Sequence, residues 1–272
     1  MTVKEDERKL HLEMGKIIYG PVPSRRFGPS LGINPLPLNK KSCSFNCVYC
    51  QLGVTNNPIM NPMDLENYPS TDVIMRAFKD RLRRIDPSKI NVITFSGNGE
   101  PTLNPELREI IRGIREILDE LNLDVPIQIL TNSSLFHLPM VREALKEFDY
   151  VIAKLDTVDQ RCFLSLNRPI AEMNISDIIK WIKFLRGEIG ERLIIQSMII
   201  DSDRMELKNY REEVISKFLD VVEEIDPALV QLYTLDRPPS EPDVYRVPRG
   251  MLLGIASRLR ARLGEERVMV YY

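Results

Sequence analysis

The feature that most constrains the fold of this 272-residue chain is a regular alternation of two kinds of segment. Short runs of apolar and β-branched residues alternate with longer amphipathic stretches. The runs are too short for ordinary helices and are typical of strands buried in a parallel sheet. They lie at 90–95, 127–130, 150–155, 193–200 and 229–233, and we expect a first strand at 31–36.

The amphipathic stretches carry signals for helix starts. Ser70 precedes a stretch at 71–82, and Asn104 with Pro105 precedes one at 106–121. Ser and Asn are favoured at helix N-caps, and Pro is favoured in the first turn. Alternating strands and helices build right-handed βαβ units around a parallel sheet. The sequence therefore predicts the α/β class with a partial (β/α)6 TIM-like barrel, and a flat doubly wound sheet is the open alternative.

The length and composition predict one globular domain over 1–272. Its core is expected at about 30–235, with an N-terminal extension at 1–29 and a C-terminal extension at 236–272. Within the extensions, the first fifteen residues are expected to form a charged, frayed helix or tail. A short helix and strand at 248–272 are expected to pack over the barrel.

The charge and apolar pattern give no support to two features, an overall basic field and a membrane-spanning helix. The formal net charge is −2, so no overall basic field favours binding to nucleic acid. No apolar run approaches the about 20 residues that a membrane-spanning helix needs. With four cysteines and no signal peptide, we expect a reducing cytoplasm and no disulfide framework.

Three of the cysteines stand close together as Cys43, Cys47 and Cys50, with the spacing C-x3-C-x2-C. Thiolates bind zinc, Cu(I) or iron–sulfur clusters, and four cysteines complete the usual coordination. A cluster held by three cysteines keeps one iron open, which favours a reactive centre. Zinc is the alternative, and its fourth ligand would come from Cys162, His11 or His137, none of which has the usual paired spacing.

Polar side chains follow or interrupt the predicted strands at the edge where an α/β active site lies. The second strand runs into Gly97-Asn98-Gly99-Glu100, where glycines allow a backbone to approach a ligand closely. The third strand ends in Thr131-Asn132-Ser133. Lys154 and Asp156 stand in the apolar fourth run, where charge is costly unless it is paired or functional. Ordinary loops and a structural Lys154–Asp156 pair are the alternatives.

At these motifs the chain resembles the radical S-adenosylmethionine (radical SAM) superfamily. The resemblance rests on the three cysteines, on Tyr49 directly before the third, and on Gly97–Pro101, which is similar to the family's Gly-Gly-Glu segment. It covers about residues 30–235. The segments GPVPSRRFGPSLGIN and SGNGEPTLNPEL are similar to a subgroup related to wybutosine-synthesis radical SAM enzymes. The sequence around the cysteines of those enzymes differs, so their substrate is not transferred.

The resemblance implies an oxidoreductase or transferase with two cofactors and an external one-electron donor. Cys43, Cys47 and Cys50 would hold a [4Fe–4S] cluster, and the open iron would chelate SAM. Electron transfer would cleave SAM to a 5′-deoxyadenosyl radical that abstracts hydrogen from a substrate. The residues that would contact SAM are Tyr49, Gly97, Asn98, Gly99, Glu100, Thr131, Asn132, Ser133, Lys154, Asp156 and Gln196.

Several arginines near the predicted mouth indicate an anionic substrate, because a guanidinium binds carboxylate or phosphate through two parallel hydrogen bonds. The candidate substrate-binding residues are Arg25, Arg26, Asn167, Arg168 and Arg237. The substrate would be a nucleotide, RNA such as a tRNA base, or a phosphorylated metabolite, unless the arginines form surface salt bridges. The competing hypothesis is a non-catalytic zinc or iron–sulfur scaffold that binds RNA or a protein partner.

Overall fold

A computed structural model describes residues 15–272, where strands and helices alternate closely. Residues 1–14, which hold nearly all of the predicted N-terminal tail, lie outside the described residues. The strands are β1 (Ile18–Ser24), β2 (Gly28–Ile33), β3 (Ser42–Cys43), β4 (Asn57–Pro58), β5 (Val92–Phe95), β6 (Ile127–Thr131), β7 (Tyr150–Lys154), β8 (Leu193–Met198), β9 (Ile200–Ser202), β10 (Leu229–Tyr233), β11 (Val244–Arg246) and β12 (Val268–Tyr271). The α-helices are α1 (Thr71–Leu82), α2 (Leu107–Glu120), α3 (Pro139–Leu145), α4 (Gln160–Leu166), α5 (Ile175–Ile189), α6 (Glu212–Ile225) and α7 (Arg249–Leu263).

One sheet of eight strands, in the order β1-β2-β5-β6-β7-β8-β10-β12, forms the centre of the fold. β1 is antiparallel to β2, and all the following neighbours are parallel. The sheet curls into a half-barrel. This architecture confirms the predicted α/β class and partial TIM-like barrel. The flat alternative is wrong.

The six predicted parallel strands are β2, β5, β6, β7, β8 and β10, and two strands from the flanking segments widen the sheet at its edges. The first predicted strand begins earlier than expected and ends at Ile33. It stops there because Asn34 Oδ1 accepts the Leu36 N–H at 3.1 Å in an Asx turn, and because Pro35 has no N–H to donate. The run at 193–200 divides into β8 and β9, and β9 pairs with β11.

The start of α1 is tied to the start of α2. Ser70 occupies the N-cap position as predicted, but its side chain makes no capping hydrogen bond. Glu106 caps the start of α1 in place of Ser70. Its carboxylate accepts the Thr71 N–H at 2.9 Å and the Thr71 hydroxyl at 2.6 Å. Asn104 Oδ1 in turn accepts the Glu106 N–H at 2.7 Å. Two helices on the outer face of the barrel are thereby fixed relative to each other.

The helices bury an apolar face against the outer side of the sheet. On α2 the residues at helical spacing, Ile110, Ile114 and Ile117, are buried in the main core. Burial of each such side chain contributes about 1.5–3 kcal/mol. Along the described chain, residues 15–272, no helix has both the length and the apolar character needed to cross a bilayer.

The inner side of the sheet is polar. Ser30 on β2, Thr94 on β5 and Gln128 on β6 are buried and joined side by side. The Ser30 and Thr94 hydroxyls lie 2.7 Å apart, and Gln128 Nε2 donates to Thr94 Oγ1 at 2.8 Å. All three line a cavity inside the half-barrel. Polar groups in the interior of a barrel are expected where a ligand binds, and not where apolar side chains fill the space.

Candidate functional site

The cysteine loop and the glycine loop after β5 are bonded to each other. The Ser42 N–H donates to Asn98 O at 2.8 Å, and the Glu100 N–H donates to Ser42 O at 3.0 Å. Gly99 permits this contact, since a Cβ there would lie 1.7 Å from the Ser42 carbonyl oxygen. A Cβ at Gly97 would likewise lie 2.1 Å from Asn34 Oδ1. The close approach that the sequence predicts for these glycines is therefore to the protein's own chain.

The pairing brings the cysteines and most of the predicted SAM contacts around one cavity of about 200 Å³. It lies at the carboxyl ends of the strands, and we call it the cysteine cavity. Its lining includes Cys43, Cys47, Tyr49, Cys50, Gly97, Gly99, Glu100, Thr131, Asn132, Lys154, Asp156 and Asn167. Residues that are far apart in the sequence thus share one pocket.

Amide groups are directed at the sulfur atoms. Asn132 Nδ2 lies 3.7 Å from Cys43 Sγ, and the Phe45 N–H donates to the same sulfur at 3.5 Å. Asn167 Nδ2 lies 3.6 Å from Cys47 Sγ. Such N–H···S bonds stabilise thiolate ligands and tune iron–sulfur clusters.

Enclosure raises the pKa of two of the thiols, Cys43 and Cys47. Burial, then the charges of Cys47 and Glu100, raises the pKa of Cys43 far above that of a free thiol. Burial, then the neighbouring Cys50, raises the pKa of Cys47 to about 11. A metal ligand must be a thiolate, so metal binding would release protons here.

The arrangement fits a cluster better than a single zinc ion. Within residues 15–272, no three His, Cys, Asp or Glu side chains are placed to hold one metal ion. The candidate fourth zinc ligands Cys162 and His137 do not line the cysteine cavity, and His11 lies outside the described residues. Cys162 is a buried thiol on α4, as expected from its apolar context. Among the described residues, Cys43, Cys47 and Cys50 line the cavity without a fourth Cys or His ligand.

Glu100 is fixed by four hydrogen bonds. Its carboxylate accepts the N–H and hydroxyl of Thr102 at 3.1 and 2.6 Å. It also accepts the Thr131 hydroxyl at 2.7 Å and the Asn132 N–H at 2.6 Å. Burial raises its pKa, although the hydrogen bonds act in the opposite direction. A carboxylate held this way joins the ends of β5 and β6 and faces the cysteine cavity in one orientation.

Lys154 and Asp156 form a buried ion pair at the end of β7. Lys154 Nζ lies 3.0 Å from Asp156 Oδ1 and donates to the Tyr233 hydroxyl at 2.7 Å. Tyr49 donates its hydroxyl to Asp156 Oδ2, and Asn167 Nδ2 donates to the same oxygen at 3.0 Å. Burial acts to lower the pKa of Lys154, but the charge of Asp156 outweighs it and the net shift is upward. The pair is structural, and it also lines the cysteine cavity.

Three predicted SAM contacts lie outside the lining of the cysteine cavity. The Ser133 hydroxyl donates to Lys154 O at 3.2 Å, and Gln196 Nε2 donates to Gln231 Oε1 at 2.9 Å. Asn98 donates to Pro37 O at 2.9 Å and lines the neighbouring cavity instead. The sequence does not single out the apolar lining residues, among them Phe163, Ile175 and Ile178, because apolar positions on a helix are typical of ordinary core.

A second, larger cavity of about 450 Å³ adjoins the first, and we call it the arginine cavity. Ser96, Gly97 and Leu130 line both cavities. Arg25, Arg26 and Arg237 line the arginine cavity together with the polar inner side of the sheet. The half-barrel therefore offers two adjoining chambers, one with thiols and one with guanidinium groups.

The other two predicted substrate residues lie elsewhere. Asn167 lines the cysteine cavity, beside Cys47 and Asp156. Arg168 lines neither cavity, because its guanidinium forms a bidentate ion pair with Glu241. Arg168 therefore forms a salt bridge, which was the alternative to a role in substrate binding.

Residues 41–211, more than half of the chain, match the sequence model of the radical SAM superfamily. The chain belongs to this superfamily. Radical SAM proteins are enzymes, and the family implies a [4Fe–4S] cluster and SAM as cofactors. The spacing of Cys43, Cys47 and Cys50 fits the cluster.

Curated relatives of this radical SAM protein carry the family name UPF0026. One from Methanocaldococcus jannaschii is 36% identical over 225 residues, which are 83% of this chain and 65% of the relative. One from Helicobacter pylori is 36% identical over 228 residues, which are 82% of this chain and 68% of the relative. The chain thus spans about two thirds of the length of these relatives.

Solved radical SAM structures share the fold at low sequence identity. A radical SAM methyltransferase from Sphaerobacter thermophilus has a TM-score of 0.60 at 17% identity, covering 89% of this chain and 66% of its own. TYW1 with a lysine-pyruvate adduct has a TM-score of 0.58 at 16% identity, covering 97% of this chain and 90% of its own. These likenesses concern the partial barrel and not the reaction.

Proposed function

We propose that this protein is a radical SAM enzyme that binds a [4Fe–4S] cluster and reductively cleaves SAM to abstract hydrogen from an anionic substrate. One observation carries the proposal. Cys43, Cys47, Cys50 and Glu100 line one cavity, and that cavity adjoins a second one lined by arginines. Cofactor chemistry and substrate binding would thus take place in adjoining chambers.

The residues of the cysteine cavity would have different roles in binding the two cofactors. Cys43, Cys47 and Cys50 would hold the cluster, and Glu100 would bind the ammonium group of SAM as a charge-assisted hydrogen-bond acceptor. When bound beside these residues and reduced, the cluster and SAM would together supply the radical chemistry that removes a hydrogen atom from the substrate. The protein's own work is to bind, to orient and to exclude water.

The remaining lining supports that work. Phe163, Ile175 and Ile178 supply an apolar wall, which limits the access of water. Tyr49 and Asp156, joined by a hydrogen bond, would border the adenosine half of SAM. The Lys154 ammonium holds the Asp156 carboxylate in place through the ion pair.

The finer features of the proposal concern substrate and cellular setting. The arginines favour a nucleotide, RNA or phosphorylated metabolite, and the reaction would be of oxidoreductase or transferase type. A relation to wybutosine-synthesis enzymes belongs to the same proposal and brings no substrate with it. An external one-electron donor is required, and a reducing cytoplasm would keep the thiols available.

The deciding experiment is anaerobic reconstitution with iron and sulfide, followed by reduction with dithionite in the presence of SAM. We expect 5′-deoxyadenosine as a product from the wild type and none from a variant with Cys43, Cys47 and Cys50 replaced by Ala. Cys162→Ala is the matched control and should form the product. Failure of the wild type to form it, with tightly bound zinc in the native protein, would establish a non-catalytic scaffold instead.

A further inference from the structure

We propose that the arginine cavity is a nucleotide-binding chamber, in which Arg26 binds a phosphate and the buried amides of Asn34, Asn98 and Gln128 bind the edge of the base. This inference rests on the proposed function and names the substrate class of its second chamber. It follows from which polar groups of the cavity already have partners and which do not.

Arg26 differs from the other arginines that line the cavity. Arg25 lies 3.3 Å from the carboxylate of Asp236, and Arg237 reaches Gln51 Oε1 at 3.5 Å. Among residues 15–272, no carboxylate lies within ion-pair distance of Arg26. Its Nε is buried and has no hydrogen-bond partner. Arg26 therefore offers an uncompensated positive charge to the chamber.

Aromatic rings hold this guanidinium in place. Its central carbon lies 4.5 Å from the centre of the Tyr233 ring and 5.6 Å from that of Tyr271. A guanidinium stacked on rings keeps its N–H groups free at the edge, where they can bind a phosphate through two parallel bonds. Because the stack restricts the side chain beforehand, less freedom is lost when the anion binds.

Three amide side chains of the lining are buried, and we call them the floor of the chamber. Asn34, Asn98 and Gln128 are 1%, 4% and 2% exposed, and each lines the arginine cavity. Asn34 Nδ2, Asn98 Oδ1 and Gln128 Oε1 have no hydrogen-bond partner. A buried polar group left unpaired costs about 1–3 kcal/mol, so three of them in one cavity indicate a ligand that pairs with them.

Hydrogen bonds at the opposite end of each amide fix its orientation and so determine which of its atoms has no partner. Asn34 Oδ1 accepts the N–H groups of Leu36 and Asn98 at 3.1 and 3.2 Å. Asn98 Nδ2 donates to Pro37 O, and Gln128 Nε2 donates to Thr94. Each amide thus holds one atom without a partner in a fixed orientation, a donor on Asn34 and an acceptor on Asn98 and on Gln128. Amide side chains of Asn and Gln are the usual partners of the hydrogen-bonding edge of a base.

The walls and the size agree with a planar, mostly apolar body between these two polar ends. Tyr19, Phe27 and Tyr233 contribute rings to the lining, and Leu130 and Met198 contribute apolar surface. A cavity of about 450 Å³ is within the range of small-molecule sites. Inorganic phosphate would leave the floor unpaired, and an uncharged nucleoside would leave Arg26 without an anion. A nucleotide pairs with the amides of the floor and also supplies an anion to Arg26.

The test uses the reconstituted protein with SAM bound and measures binding by calorimetry. The probes are the four ribonucleoside 5′-monophosphates, the matching nucleosides and inorganic phosphate. We expect at least one monophosphate to bind, and Arg26→Gln to weaken it about tenfold or more, while its nucleoside is unaffected by that change. Arg25→Gln is the matched control, since Arg25 already has a carboxylate partner, and its effect should stay within about threefold.

Gln128→Leu tests the floor and should weaken both the monophosphate and its nucleoside. Circular dichroism melting confirms that each variant is folded. Binding of none of the four monophosphates to the wild type overturns the inference, and so do equal losses in Arg26→Gln and Arg25→Gln. A short single-stranded RNA tested beside the monophosphates shows whether the nucleotide is bound free or as part of a strand.

The readouts separate this inference from the proposed function. Binding of a monophosphate without formation of 5′-deoxyadenosine would contradict the radical chemistry and leave the chamber assignment standing. Formation of 5′-deoxyadenosine without monophosphate binding would contradict the chamber assignment alone.

Discussion

The ammonium of Lys154 lies 3.0 Å from Asp156 Oδ1, and the Asp156 side chain is fully buried. Lys154 is the last residue of β7, and Asp156 follows two positions later, just beyond the strand. A buried ion pair gains little over an apolar pair, but loss of one partner leaves a charge without compensation. The pair therefore makes this wall of the cysteine cavity sensitive to substitution.

Replacement of Lys154 by Met is expected to lower the free energy of unfolding by about 3 kcal/mol, because the Asp156 carboxylate stays buried without its cation. Anaerobic urea denaturation of the reconstituted protein measures this. Lys89→Met is the control, because Lys89 and Asp86 form an exposed pair, and it should cost less than about 1 kcal/mol. Equal losses in the two variants would show that the Lys154 pair is no more important than a surface one.

Cys47→Ser is expected to abolish cluster loading while the barrel stays folded. The serine hydroxyl is a poor ligand for iron, and the sheet does not depend on the Cys47 sulfur. Iron and sulfide analysis, with visible absorbance, measures the loading, and circular dichroism reports the fold. Cys162→Ala should load as the wild type does, since Cys162 lies outside the cysteine cavity. Wild-type iron content in Cys47→Ser would refute the ligand assignment.

The interior of the fold could be predicted from the sequence, and its edges could not. β5, β6, β7 and β10 are buried apolar runs, and each lies within two residues of its predicted bounds. β1 was not predicted, because Gly20, Pro21 and Pro23 interrupt its pattern. Proline is tolerated there since β1 is an edge strand. The pairing of β12 with β10 depends on contacts distant in sequence, which local patterns do not encode.

In the candidate site, too, local features could be predicted from the sequence and contacts between distant residues could not. The cysteine spacing and the Gly97–Glu100 segment are local, so the sequence alone singles them out. The contact of Asn167 with Cys47 joins positions 120 residues apart, and the pair between Arg168 and Glu241 joins positions 73 residues apart. No local pattern distinguishes an arginine with a distant carboxylate from one that is free. This is why Arg26 and Arg168 looked alike before the fold was known.

Glu100→Gln is expected to weaken SAM binding about tenfold or more, because an amide cannot offer a charged acceptor to the methionyl ammonium. Equilibrium binding of SAM to the reconstituted protein measures the change. Glu106→Gln is the matched control, since Glu106 is a nearby carboxylate that does not line the cysteine cavity. Wild-type affinity in Glu100→Gln would mean that Glu100 only connects β5 to β6.

Glu106 itself gives a prediction about pH. The hydrogen bond from the Thr71 hydroxyl lowers the pKa of Glu106, partial burial opposes this, and the Thr71 N–H adds to the lowering. A carboxyl whose pKa is lower in the folded than in the unfolded state stabilises the fold above the unfolded value, which is about 4.3. That stabilisation is lost as the pH falls through the folded value.

The difference in the free energy of unfolding between wild type and Glu106→Gln should therefore have its largest value at pH 7. It should shrink steadily below about pH 4. Urea denaturation at a series of pH values measures it. Glu116→Gln, on the exposed face of the same helix, should change stability by less than about 0.5 kcal/mol at pH 7. A difference for Glu106→Gln that is constant between pH 7 and pH 3 would mean that the charge of Glu106 does not stabilise the start of α1. The neutral amide would then cap Thr71 equally well.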